Sequence, residues 1–425
     1  MKSDDPSSEG STAAALAAGG PRSLLVDSDL DFIRSLVGQA GGTFKKCFQC
    51  GTCSGTCDLS GDARPFPRKE MAWAVWGWKD RLFVDPDVWL CHQCEDCSAR
   101  CPRGARPGDV LAAIRVECIA HYAVPRFLGE WVRRPRTIPL LLAIPAAVLV
   151  LALLAREPIA AALGLGDEVG RKISFSYSSN LPHWLLNAVF FAAAGLSLAA
   201  MAMGVARFWG ALRDESRRYG CVEPVQGIAA SIGAVLRDAV AHRHFTRCTE
   251  AAPRSLSHLL VFFGFAALAL VSLWAITARF NPLLRSEFVY PFRFFDPWKV
   301  LANLGGLAVL SGLLLMGGDR WRARRASGRG GYADWALIVA ILLVVATGFL
   351  AEILHYVRVE PHRHAVYFAH LVLVFALLVY LPYSKLAHAV YRATALVFAA
   401  HVGWDWGGRS EGKAKSSAAS SGGRS

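Results

Sequence analysis

Two runs of four cysteines constrain this chain more than any other feature. CFQCGTCSGTC, from Cys47 to Cys57, and CHQCEDCSARCP, from Cys91 to Pro102, both read C-x2-C-x2-C-x3-C. Eight of the eleven cysteines fall in these runs, while Cys118, Cys221 and Cys248 are scattered. Thiolates at this spacing, on a loop that turns into a helix, wrap three irons of a cubane and leave the fourth cysteine to a neighbouring cluster. The crossing assigns Cys47, Cys50, Cys53 and Cys101 to one [4Fe–4S] cluster, and Cys91, Cys94, Cys97 and Cys57 to a second. Pro102 follows the last cysteine as the bacterial pattern expects, whereas Asp58 stands at the matching place in the first run. Structural zinc sites use cysteine pairs parted by a longer loop, and disulfide frameworks belong to oxidising compartments, so neither suits these runs. Two adjacent clusters carry electrons and make no bonds.

The remainder of the chain is apolar. Hydrophobic residues make up 54% of 425, in long blocks, which points to a membrane protein. The net charge of +13 sits mostly in short segments between those blocks, a pattern of membrane topology and not of a nucleic-acid face. The acidic, Ser/Gly-rich residues 1–22 lack the apolar core of a secretory signal and read as a disordered lead. Residues 23–120 hold both cysteine runs, with FPRKEMAWAVWGWKDRLF between them read as one amphipathic helix, and 121–137 form a basic interfacial linker. A membrane domain over 138–400 has spans at about 138–155, 183–206, 257–278, 298–318, 333–354 and 364–383, each near the ~20 residues needed to cross a bilayer. Residues 401–425 read as a low-complexity tail.

Loops 207–256 and 319–332 carry eight and five Arg, against three, three and two Lys or Arg in loops 156–182, 279–297 and 356–363. The bias places both termini and the cysteine domain in the cytoplasm, with the chain multi-pass in the inner membrane. In the first of these inner loops, VEPVQGIAASIGAVLRDAVAHR suggests a surface helix. The fold class expected is all-α: a helical two-cluster ferredoxin domain followed by a six-helix transmembrane bundle.

CFQCGTCSGTC followed by WLCHQCEDCSARCPRG resembles the iron–sulfur C subunit of heterodisulfide reductase. The membrane half resembles the cytochrome b type found in the E subunit of that enzyme and in the gamma subunit of nitrate reductase. Fused in one chain, the two resemble the membrane subunits of the quinone-modifying oxidoreductase (Qmo) complex, over about residues 35–400. The resemblance implies electron transfer between menaquinone or menaquinol, haem b and the two clusters. It also implies flavin and iron–sulfur partners similar to the A subunit of heterodisulfide reductase, with adenylylsulfate reductase beyond them in dissimilatory sulfur metabolism. Sulfur chemistry would then lie in other subunits. A thiol–disulfide complex of the heterodisulfide reductase type is one alternative. A transporter with an iron–sulfur regulatory domain is another, and it would call for inverted repeats that the sequence does not display.

Histidines in the spans are the candidate haem ligands. His370 and His388 lie 18 residues apart, five turns of one helix, so one face would carry both at about 27 Å, one per leaflet. His258 and His388 pair at the inner boundary. The gamma-type pattern expects a second histidine farther along the span of His258, where Leu268 stands, so His370 takes His183, or alternatively His355, as its outer partner. That gives two haems b, or one if a pair fails. Pro382 threatens the shared face by kinking the helix. His362, His364 and His401 read as interfacial anchors, and His92 and His121 as solvent-facing without a role. Glu352 is the quinone-site candidate, with His355 one turn away and Lys299 and Asn303 at similar spacing on the preceding span.

Overall fold

The structure, a computed structural model, describes residues 25–61, 64–164, 182–218, 224–240, 252–281, 294–327, 331–360 and 362–404. The expected lead over 1–22 and the tail beyond Trp404 lie outside them. Among the described residues the fold is all-α, with one isolated bridge between Gly61 and Arg64.

The cysteine domain is built on α1 (Leu30–Ala40), α2 (Thr52–Thr56), α3 (Arg68–Trp76), α4 (Lys79–Phe83), α5 (Asp87–Leu90), α6 (Asp96–Ala99) and α7 (Pro107–Tyr122). Asp29 caps α1 by accepting from the Phe32 amide at 2.8 Å, and Gly41 ends it in the left-handed region at φ 75°. The insert between the cysteine runs forms two helices, not the single one expected. Gly77, at φ 67°, stops α3, and a Cβ there would sit 2.8 Å from Ile33 Cδ1. The core helix is α7, which starts on Pro107 and buries Val110, Leu111, Ile114, Cys118 and Ile119. Its buried Glu117 is satisfied by Ser35 and Gln39 of α1 and by Arg133 of α8 (Arg126–Arg133).

Among the described residues, six helices are long and apolar enough to span a membrane: Pro135–Leu154, Trp184–Arg218, Leu256–Ala278, Pro297–Arg322, Tyr332–Val357 and His362–Val379. They fall within α9 (Ile138–Leu154), which a short 3-10 turn precedes, α11 (His183–Arg218), α13 (Ala252–Phe280), α14 (Pro297–Ser327), α15 (Tyr332–Val357) and α16 (His362–Val379). Between the first two runs α10 (Arg156–Ala162), and between the second and third α12 (Ile228–Val240), the helix anticipated in that loop. Glycines let α13 and α14 approach closely: a Cβ on Gly264 would meet Gly305 O at 2.7 Å, and one on Gly312 would meet Ser257 O at 2.8 Å.

Two elements fuse the halves. Helix α11 has 36 residues, about 54 Å against ~30 Å of hydrocarbon, so its C-terminal third leaves the bundle. There it buries Phe208 and Leu212 among Trp89, Tyr122 and Tyr391, and Glu215 pairs with Arg81 of α4. After α16 the chain breaks at the 3-10 turn Leu381–Tyr383 and resumes as α17 (Ala387–His401), which packs on the cysteine domain and spans nothing. Gly204 of α11 leaves the room that the Tyr391 hydroxyl occupies.

Trp404, just past α17, donates to Asp87 Oδ1 at 2.8 Å while the Arg64 guanidinium stacks on its ring at 3.6 Å. Asp87 belongs to a buried cage in which Lys69 Nζ lies 2.7 Å from Glu70, 2.5 Å from Asp85 and 2.7 Å from Asp87. Burial works against the Lys69 charge, but the carboxylates of Asp85, Glu70 and Asp87 override it and hold it above its usual value. Burial, with Asp85 and Asp87 nearby, pushes Glu70 well above 4.5. Lys69→Met should therefore strand the acids and destabilise the cysteine domain by roughly 3–5 kcal/mol, measured by thermal unfolding. Because the folded value of Glu70 is raised, stability is complete below its ordinary 4.5 and drains as pH rises through the folded value. Glu70→Gln should flatten that decline in melting temperature.

Candidate electron-transfer centre

The two cysteine runs form the same loop twice. In the first, Gln49 and Gly51 have φ of 57° and 83°; in the second, Gln93 and Glu95 have 55° and 74°. Each loop turns its amides inward, Gln49 N lying 3.5 Å from Cys47 Sγ and Gln93 N 3.3 Å from Cys91 Sγ, then enters α2 or α6. Amide donors on sulfur stabilise thiolates and tune the potential of a cluster. Glu95 occupies the left-handed position that glycine holds in the first run, and its carboxylate fills the space where a Gly108 Cβ would sit, 2.6 Å from Oε1.

The two runs lie close to one another. Burial raises Cys97, and Cys91, Glu95, Cys57 and Cys94 raise it further, so Cys57 of the first run stands with the second trio. Burial and then Cys47 raise Cys53, with Cys50 also beside it. In the other direction, Arg103, two residues past Cys101, lays its guanidinium 4.0 Å over the Phe48 ring of the first run. A cationic iron core would relieve the repulsion between neighbouring sulfurs that contributes to raising Cys53 and Cys97. All eight are free thiols. Such clusters supply one-electron storage when bound.

The second loop is held by the membrane half. Arg115 of α7 is buried and donates from Nε to Val88 O at 2.8 Å and from a terminal nitrogen to Cys91 O at 3.0 Å. Its other terminal nitrogen lies 3.4 Å from both Gln93 Oε1 and His388 Nε2. Arg392, one turn along α17, reaches His92 Nδ1 at 2.8 Å. Trp89 lies 5.8 Å from the His388 ring and stacks on Tyr391 at 5.6 Å. His92, expected to face solvent without a role, is thus an interface residue, and neither Arg115 nor Arg392 carried a local signal. They are recognised only once α7 and α17 meet.

His370 and His388 are not on one helix: the break at Leu381–Tyr383 separates α16 from α17, so the five-turn argument for a shared face fails. His370 faces α15, its Nδ1 3.0 Å from Val344 O and 3.1 Å from Thr347 Oγ1. An N–H on Nδ1 satisfies that carbonyl and leaves the Nε2 lone pair for iron, the arrangement common to metal-bound histidines, so His370 fits a haem. His388 offers less, since its Nε2 faces Arg115. His258 lies half-buried in α13, where Leu268 packs against α14; His355 is on α15; His183 opens α11, its side chain outside the described residues. His401, expected to face water, is half-buried, with Nδ1 2.7 Å from Gln226 O. Glu352 joins the two residues of matching spacing: Asn303 donates to Oε1 at 3.2 Å and Lys299 Nζ lies 2.9 Å from Oε2.

Burial, followed by the charges of Arg115, Arg392 and Lys385, holds His388 well below the usual 6.5. A depressed folded value means that the docking of α17 is fully stable above 6.5 and weakens as pH falls below it. Amide protection in 387–401, corrected for intrinsic exchange, should fall on acidification in the wild type and not in His388→Gln; protection that is independent of pH in the wild type would contradict the buried contact.

Comparison with known proteins agrees with this division. Residues 43–105 match the 4Fe-4S dicluster domain, and residues 135–403 match the family described as citrate utilization protein B. The cysteine half is similar to the C subunit of the H(2):CoB-CoM heterodisulfide,ferredoxin reductase of Methanothermobacter marburgensis, 36% identical over 108 residues, which are 24% of this chain and 58% of that protein. It is also similar to a protein of Archaeoglobus profundus that is itself like the C subunit of heterodisulfide reductase, 33% identical over 88 residues, 20% of this chain and 47% of that protein. The chain thus spans about half the length of these relatives. Citrate utilization protein B of Escherichia coli is 27% identical over 332 residues, covering 72% of this chain and 80% of its own. With its iron–sulfur domain in front and the family match running through the six-helix half to residue 403, the chain belongs to the citrate utilization protein B family.

Proposed function

We propose that this chain is the membrane electron-transfer subunit of an oxidoreductase, moving electrons between a quinone, menaquinone or menaquinol, in the bilayer and a soluble partner on the cytoplasmic side. The observation that carries the reading is the grip of α17 and α7 on the second cysteine loop through Arg115 and Arg392, which ties a cluster site to the helix that follows the last membrane span. Arg115 and Arg392 position the loop; Cys47, Cys50, Cys53 and Cys101, and Cys91, Cys94, Cys97 and Cys57, hold the clusters. The Arg bias of the loops supports the cytoplasmic placement.

Haem b belongs to the same reading: His370 would hold it, with His183 or His355 as its partner. A second haem on His258 and His388 requires the His388 ring to leave Arg115, so one haem is the form the geometry favours. Glu352, held by Lys299 and Asn303, is the group placed to exchange a proton with quinone. Qmo-type partners, flavoproteins similar to the A subunit of heterodisulfide reductase with adenylylsulfate reductase beyond, follow from the cysteine half. The relative that spans both halves favours a second reading of the partner, an oxidoreductase serving citrate utilization.

A pyridine haemochrome assay with iron and sulfide counts tests the cofactors. One haem b beside about eight cluster irons is expected, with His370→Ala losing the haem and keeping the cluster iron. A wild type without haem would overturn the cytochrome assignment. Glu352→Gln should weaken binding of a soluble naphthoquinone by about ten-fold; unchanged affinity would move the quinone site elsewhere.

A further inference from the structure

The two cluster sites differ in burial. Cys91 and Cys97 are buried, and α5, α7 and α17 close over the loop between them through Trp89, Arg115, His388 and Arg392. The first loop is open: Cys50 is exposed, and Phe48, between two ligand cysteines, is 67% exposed, whereas Phe44 one turn earlier is a core residue at 1%. Phe48 is thus an aromatic ring held beside a ligand cysteine and outside the core. Its setting is basic. Lys45 and Lys46 precede Cys47, Arg100 and Arg103 flank Cys101, and all four are exposed, with Arg103 over the Phe48 ring. Arg68 also lies here, 3.8 Å from the position of a Gly51 Cβ.

We propose that the soluble redox partner meets the chain at the Cys47–Cys50–Cys53–Cys101 cluster and lays an acidic face on the patch of Lys45, Lys46, Phe48, Arg100 and Arg103. The proposal rests on the electron-transfer reading above and gives it a polarity, with the second cluster towards the membrane and the first towards the partner. A basic rim around an apolar contact steers an acidic protein and fixes its orientation over the cluster. Each encounter moves one electron: one centre is oxidised and the other reduced by one, in the direction their potentials set.

The test uses the full chain in zwitterionic nanodiscs, reduced, desalted and mixed anaerobically with oxidised flavodoxin, an acidic flavoprotein, in a stopped-flow instrument. The rate should fall with rising salt, and Lys45→Glu with Lys46→Glu should slow it by about ten-fold or more at low salt, while oxidation by methyl viologen stays unchanged. A double variant as fast as wild type at low salt overturns the patch, as does a wild type that flavodoxin cannot oxidise. Loss of the charge dependence when phosphatidylglycerol is placed in the discs would assign the basic rim to lipid headgroups and equally overturn it. A wild type with no iron–sulfur signal for methyl viologen to oxidise would sink the electron-transfer reading itself.

Discussion

A single buried guanidinium holds the two halves of this molecule in register. Arg115 satisfies the Val88 and Cys91 carbonyls, touches Gln93 and meets His388 from the far end of the chain. An arginine buried this deeply is costly unless its donors are used, and here the cysteine loop and the helix behind the bundle use them. Removing either side leaves charge or carbonyls stranded, so the loop, α7 and α17 form one unit. The long stalk of α11 and the Lys69 cage reinforce the same junction from other directions.

That junction gives the duplicated loops different fates. Their backbones follow the same left-handed turns, yet one is enclosed by the membrane half and the other presents Phe48 and Cys50 to solvent. A pair of sites alike in ligands and unlike in burial differs in solvent access, and solvent access is among the determinants of cluster potential. The difference between the two sites therefore lies in packing and not in the cysteine motif.

Much of this was legible in the sequence, because cysteine spacing and apolar length are local quantities. The runs suggested crossed partners from spacing alone, and among the described residues six apolar stretches are helices of spanning length. What failed depended on continuity or tertiary contact. A separation of 18 residues between His370 and His388 reads as one face only if the helix persists, and the turn at Leu381–Tyr383 interrupts it. Gly77 divided a helix for a similar reason, since the side chain that would meet a Cβ there belongs to Ile33, 44 residues away in sequence. Arg115, Arg392 and His92 had no periodicity or motif to mark them. The membrane half, whose histidines suggested a cytochrome of the nitrate reductase gamma type, matches citrate utilization protein B along nearly its whole length.

The claim at the centre of this account is that the membrane bundle and both clusters form one conducting path. It is tested most directly by adding a reduced naphthoquinone to the anaerobic full chain in nanodiscs and recording the iron–sulfur signal by electron paramagnetic resonance. The account predicts that quinol and chain exchange electrons without a mediator, and that Arg115→Gln slows the exchange while dithionite still reduces both clusters. Clusters that respond to dithionite but remain untouched by quinol in the wild type would contradict it.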